Sequence, residues 1–272
     1  MNRMLSRLQS NPIFRRIFVG TPWRGVYPTF AAAQAAIPKG RSIGYNSESA
    51  ARIFRTYPIL RKRPTDYITS FHLQHLLKEG KRVFDFGGSV GIAYYVYKEY
   101  LPFPEGAQWL VCDVPAIVEV GRERALELDS EGLAFTTEFE DADGCDVLIS
   151  AGTLQFVEAP LAERLAALRQ PPPHLIVNRV PAWDRPHLTT LHQIDDFFCP
   201  YQVFNRAEFV QSLADIGYEL IDDWECPEST LSIRFRPKLR LRGYHGFYFS
   251  KAAHAVKSVG TSTPQEIQSI SE

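Results

Sequence analysis

Cysteine is scarce in this 272-residue chain: Cys112, Cys145, Cys199 and Cys226 are the only four, and none forms a Cys-x-x-Cys pair. Such spacing argues against a zinc site and against a disulfide framework, so reduced thiols and no bound metal are expected. No stretch approaches the ~18 consecutive apolar residues that span a bilayer, and no leader with a cleavage site is evident. The expectation is a soluble, cytoplasmic protein without a transmembrane segment. Acids are nearly missing from residues 1–64, where Glu48 stands alone against twelve Lys and Arg. What is present is enough for a large core, since 45% of the residues are hydrophobic and the length suits one α/β domain with an addition.

The most informative segment is Val83-Phe84-Asp85-Phe86-Gly87-Gly88-Ser89-Val90-Gly91. Its apolar start reads as a buried parallel strand, its glycines as a sharp turn, and Ile92 onward as a helix. A dinucleotide fingerprint would place glycines at the first, third and sixth positions, yet counting from Gly87 these are Gly87, Ser89 and Ile92. A phosphate loop would end in Gly-Lys-Ser/Thr, and the nearest lysine is Lys98, inside the predicted helix. Both patterns fail. Further on, Gln108 to Cys112 reads as a second buried strand ending in Asp113, where one carboxylate can hold two ribose hydroxyls; Asp113 can equally cap the helix that begins near Pro115.

An acid in the strand followed by Gly-Gly-x-x-Gly resembles motif I of the seven-strand S-adenosylmethionine (SAM) dependent methyltransferases. The likeness continues in Asp113-Val114-Pro115, in Ser150 to Phe156, and in Gln193 to Asn205 followed by Gly217-Tyr218-Glu219. It covers roughly residues 45–250, and the chain resembles a bacterial family often associated with surface-polysaccharide or secondary-metabolite gene clusters. Ser89 departs from the common Gly-x-Gly-x-Gly form and should stiffen the turn. The resemblance implies a seven-strand Rossmann-like α/β sheet with an N-terminal helical cap, and SAM as cofactor. It implies a cofactor site of Asp85, Gly87, Gly88, Ser89, Gly91 and Asp113, with Glu138 and Phe139 near the adenine and Ser150 and Gly152 after strand four. It further implies methyl transfer to a small-molecule acceptor.

Three regions are expected: a basic helical segment and substrate lid over 1–78, with Tyr45 and Tyr57 as lid candidates; the SAM-dependent domain over 79–256; and a disordered tail over 257–272. The first twenty residues read as a basic amphipathic helix broken at Pro12, able to dock on its own domain, on a partner subunit or on anionic membrane. Residues 65–230 hold 28 acids against 11 bases, whereas residues 231–272 hold 2 against 7. Basic flanks around an acidic core suit an anionic acceptor, or packing on that core, or pairing across a homodimer; no nucleic-acid signature is seen. A fifth strand over His174–Asn178 precedes an insertion of about twenty-five residues that should wall a ligand pocket, and Ser232–Arg236 alternates like an exposed strand.

Methyl transfer needs positioning and timely removal of a proton. His192 in the insertion is the favoured base, because Thr189, Thr190 and Gln193 suit a polar pocket and imidazole titrates near neutrality; Gln155 is the candidate for orienting the acceptor. Transfer to a hydroxyl of a sugar or metabolite is the leading reading. Transfer to an amine, which needs no strong base, is the alternative within enzymes. A noncatalytic SAM-binding subunit is the alternative outside them, with a nicotinamide dehydrogenase ranked behind on the missing glycine.

Overall fold

A computed structural model of the chain describes residues 21–78 and 81–251. Ahead of the glycine motif lie β1 (Trp23–Tyr27), α1 (Phe30–Ala35), β2 (Ser42–Ile43), α2 (Glu48–Arg55) and α3 (Asp66–Leu76). Two of these helices start where a hydroxyl satisfies an otherwise free backbone donor: Ala32 N–H donates to Thr29 Oγ1, and Ala50 N–H to Ser47 Oγ. The expected helical cap is thus present, and it carries two strands that the local pattern did not announce.

The chain then alternates between strand and helix. β3 (Arg82–Phe86), α4 (Ile92–Lys98), β4 (Gln108–Cys112), α5 (Pro115–Glu127), β5 (Leu133–Thr136), β6 (Val147–Ala151), α6 (Leu161–Ala166) and β7 (His174–Val180) follow one another. Pro115 opens α5 at a position where its missing N–H costs no hydrogen bond. After β7 come β8 (Ala182–Trp183), β9 (Leu188–Ile194), β10 (Phe197–Asn205), α7 (Arg206–Ala214), β11 (Tyr218–Cys226), β12 (Leu231–Ser232), β13 (Arg240–Leu241) and β14 (Tyr244–Lys251).

Seven of the strands form one sheet in the order β11-β14-β7-β6-β3-β4-β5. β3, β4, β5, β6 and β7 run parallel, while β14 is inserted antiparallel to both β7 and β11. β3 is central and covered on both faces, so Val83, Phe84 and Phe86 are buried, and Asp85 is buried with them. The strand order reverses at β3: the chain continues to β4 and β5 on one side and then returns to β6 on the other, which opens a crevice at the carboxyl ends of the parallel strands.

The insertion after β7 is a β-hairpin. β9 and β10 pair antiparallel from Leu188↔Val203 to Ile194↔Phe197, turning at Asp195, whose φ is +49°. β1 adds to β9 and β2 to β10, so residues far apart in the chain share a second sheet, β1-β9-β10-β2, with β8 pairing off β10. Ser232–Arg236 does not form the expected exposed strand: β12 ends at Ser232 in its pairing with β13, and Ile233 is buried and bridges Trp23. The chain turns after Ile233 because that side chain is anchored in the core. The predicted amphipathic helix in residues 1–20 and the predicted tail from 257 lie outside the described residues. Among the described residues no helix is long and apolar enough to cross a membrane.

Candidate functional site

The turn after β3 is shaped by three close approaches. Gly87 has a φ of +71°, and a Cβ there would lie 2.1 Å from Thr153 Cγ2, whose hydroxyl donates to the Gly87 carbonyl at 3.1 Å. A Cβ on Gly88 would lie 2.3 Å from Asp85 Oδ2. That oxygen is already engaged, since Trp109 Nε1–H donates to it at 3.1 Å, whereas Asp85 Oδ1 has no partner among the described residues. Burial pushes the Asp85 carboxyl up to about 7, with the Trp109 bond opposing the shift. Ser89, where the resemblance would place a glycine, is held at φ +57°, and its N–H donates to Asp113 Oδ2 at 2.9 Å. Asp113 also accepts from Val114 N–H at 2.8 Å, so it knits the first turn to the second strand end; loss of solvent raises its carboxyl to about 6.

These groups form one end of a cavity of about 600 Å³, in the size range of small-molecule sites. Phe139, from the turn after β5, packs edge-on to Phe84 and Phe86 and carries the Arg164 guanidinium over its ring at 5.4 Å. Ala151, Gly152 and Thr153 line the cavity after β6. Residues ahead of β3 complete the wall, among them Tyr45, Tyr57, Arg61, Arg63 and Asp66. Arg179, in a left-handed conformation at φ +58°, donates to the Ala151 carbonyl and lies 3.5 Å from Asp66 Oδ1. Burial raises the Asp66 carboxyl, and Arg179 opposes that shift. Arg63 is pushed below its usual value by burial and by the nearby cations Arg179 and Arg61. Four arginines therefore share one cavity with three aspartates.

Of the residues expected to hold a cofactor, Asp85, Gly87, Gly88, Ser89, Asp113, Phe139 and Gly152 line this cavity. Gly91, Glu138 and Ser150 do not. Gly91 caps α4, Glu138 is exposed and accepts from Thr137 Oγ1, and Ser150 is buried within β6. Both residues chosen for catalysis also fall off the wall. His192 points into a cluster of rings, stacked on Trp23 at 5.0 Å and beside Phe156 and Tyr201, and loss of solvent lowers its imidazole to about 4. Gln155 is buried and donates to the Gly152 carbonyl at 2.8 Å, which braces the turn after β6. Arg63, Asp66, Arg164 and Arg179 were missed by the sequence reading. The one available signal was Arg179, a cation at the carboxyl end of a predicted parallel strand. Among the described residues no group of three or more His, Cys, Asp or Glu could hold a metal ion.

Sheet order, the antiparallel seventh strand and a cavity at the switch point define a seven-strand Rossmann-like α/β protein. No family model matches the chain, and no curated protein matches it in sequence. Solved structures do share the fold. A chain of the Haloferax volcanii complex between the Trm112 methyltransferase activator and a candidate methyltransferase aligns at TM-score 0.52 and 15% identity, over 78% of this chain and 98% of that one. The CcbJ methyltransferase of Streptomyces caelestis aligns at 0.49 and 14% identity, over 75% and 96%. Magnesium protoporphyrin IX methyltransferase of Synechocystis, solved with SAH bound, aligns at 0.49 and 15%, over 76% and 96%. Identities this low speak to the fold alone.

Proposed function

We propose that the chain is a SAM-dependent methyltransferase acting on a small-molecule acceptor, with a hydroxyl as the leading target and an amine as the alternative. The observation that carries this reading is the pair of carboxylates, Asp85 and Asp113, on a glycine turn that lacks the lysine of a phosphate loop. Asp85 Oδ1, unpartnered, suits the cofactor's ammonium, and Asp113 suits the ribose hydroxyl pair. Phe139 and Arg164 offer flat faces for the adenine. The fold shared with a chain of the Haloferax volcanii complex supports the same reading.

When bound, SAM supplies a methyl group on a sulfonium, already activated for transfer. The chain's own residues then have to bind, orient and accept a proton. One arginine would satisfy the cofactor's carboxylate, and the cavity has Arg61, Arg63, Arg164 and Arg179, so an acceptor that carries an anionic group is accommodated. For a hydroxyl acceptor a base is needed. With His192 off the wall, we assign that role to Asp66, a buried carboxylate of the cavity whose affinity for protons is already raised.

Isothermal titration with SAM, its demethylated product and NAD tests the cofactor. Binding of the first two and not the third is expected, and failure of both to bind would overturn the reading. Turnover separates the rival classes: a noncatalytic SAM-binding subunit would bind tightly and transfer nothing to any acceptor.

A further inference from the structure

Residues 229–243 contain Arg234, Arg236, Lys238, Arg240 and Arg242 and no acid. They run through β12, a turn and β13, with Leu231 opposite Leu241 and Ser232 opposite Arg240. Leu231, Ile233 and Leu241 are buried and fasten the base of this hairpin to the core, while Arg236, Lys238, Arg240 and Arg242 are exposed. Among the described residues none of those four exposed cations forms an ion pair. Packing against the acidic body therefore does not neutralise them.

Phe235 breaks the pattern in a telling way. Alternation from Leu231 and Ile233 would turn it inward, yet its backbone is left-handed at φ +59°, a conformation unfavourable for a bulky residue, and its ring stands 70% exposed. The Arg234 guanidinium lies 4.9 Å from the ring centroid. Arg234 N–H also donates to the Trp23 carbonyl, so the hairpin sits beside the point where the first twenty residues join; those residues contain four arginines and no acid.

An exposed ring near four exposed cations, Arg236, Lys238, Arg240 and Arg242, that form no ion pair among the described residues, on a hairpin whose base is fixed, matches the chemistry of an anionic lipid surface. Cations are drawn to the headgroup phosphates, and the ring gains by entering the headgroup boundary. Single-stranded nucleic acid is recognised by successive stacking rings along a basic groove, and this turn offers one ring. The acidic body, with 28 acids in residues 65–230, would be repelled by the same surface and would face away from it.

We infer that the β12–β13 hairpin is a peripheral docking site for anionic membrane, with Phe235 entering the headgroup layer and Arg236, Lys238, Arg240 and Arg242 facing lipid phosphates. The inference does not depend on the cofactor reading. The test is co-sedimentation of the full chain with vesicles of phosphatidylcholine alone and with vesicles one-third phosphatidylserine, at physiological and at high salt. The chain should partition onto the anionic vesicles only and leave them at high salt. Arg236→Gln/Lys238→Gln/Arg240→Gln should lower the partition coefficient about 100-fold, from roughly 5-fold per cation. Phe235→Ser, a change at a solvent-facing ring, should lower it several-fold and keep the salt dependence. Circular dichroism and an unchanged thermal midpoint check that each variant is folded. Equal binding to neutral vesicles, no binding to anionic ones, or a triple variant that binds like the parent would each overturn the inference. So would capture of a single-stranded oligonucleotide without capture of vesicles, which would assign the patch to nucleic acid.

Discussion

Asp85 holds its proton unusually tightly because its carboxylate is buried beneath the glycine turn, and this single property sets two opposite pH dependences. Its folded value of about 7 lies above the ~3.9 of an unfolded aspartate, so the folded chain binds more protons between those limits. Its contribution to the stability of the ligand-free protein should therefore be full below about pH 4 and fall as pH rises toward 7, by at most about 1.4 kcal/mol per pH unit. Cofactor affinity should run the other way, since pairing with an ammonium needs the ionised carboxylate. Titration calorimetry should show SAM binding weakening as pH drops from 8 to 6, and Asp85→Asn should bind more weakly with a flat profile. A parent protein whose affinity ignores pH in that window would remove Asp85 from the role assigned to it.

At the scale of elements, the β9–β10 hairpin decides what surrounds His192. β1 pairs along β9 and sets Trp23 over His192, while β10 places Tyr201 against the same ring, so a histidine in a polar-looking tract ends among aromatics. Its ring packs against theirs. His192→Ala should lower the denaturation midpoint by the equivalent of about 1–3 kcal/mol. The same substitution should change methyl-transfer kcat less than about threefold, in contrast to the ~10²-fold loss that removal of a base would bring. Ser49 Oγ and Arg52 both reach Asp196 at the hairpin turn, tying α2 to it. The cap and the hairpin thereby share one attachment.

Across the whole molecule the cavity joins the central sheet to the residues ahead of β3, so a ligand there should stabilise both together. With SAH at 100 times its Kd, mass action contributes about 2.7 kcal/mol, and a single melting transition should move up by about 5–10 °C. Two transitions, only one of them shifted, would show that the cap does not share the site. Much of this architecture was legible beforehand. The run Val83 to Phe86 and the turn at Gly87-Gly88 are readable because strand burial and close backbone approach act on neighbouring residues. Asp113 followed from its position at a strand end. The other half of the site was not legible. Asp66 meets Arg179 through the packing of α3 near the end of β7, and no local period records that meeting. His192 was misjudged for the same reason, since its neighbours are supplied by β1 and β10. By itself, then, the sequence determined the parallel strands, the glycine turn and its two carboxylates, because those depend on short-range sterics and burial pattern. Only the tertiary structure decided which arginines complete the cavity and that His192 is excluded from it, because those outcomes depend on long-range pairing between strands and helices.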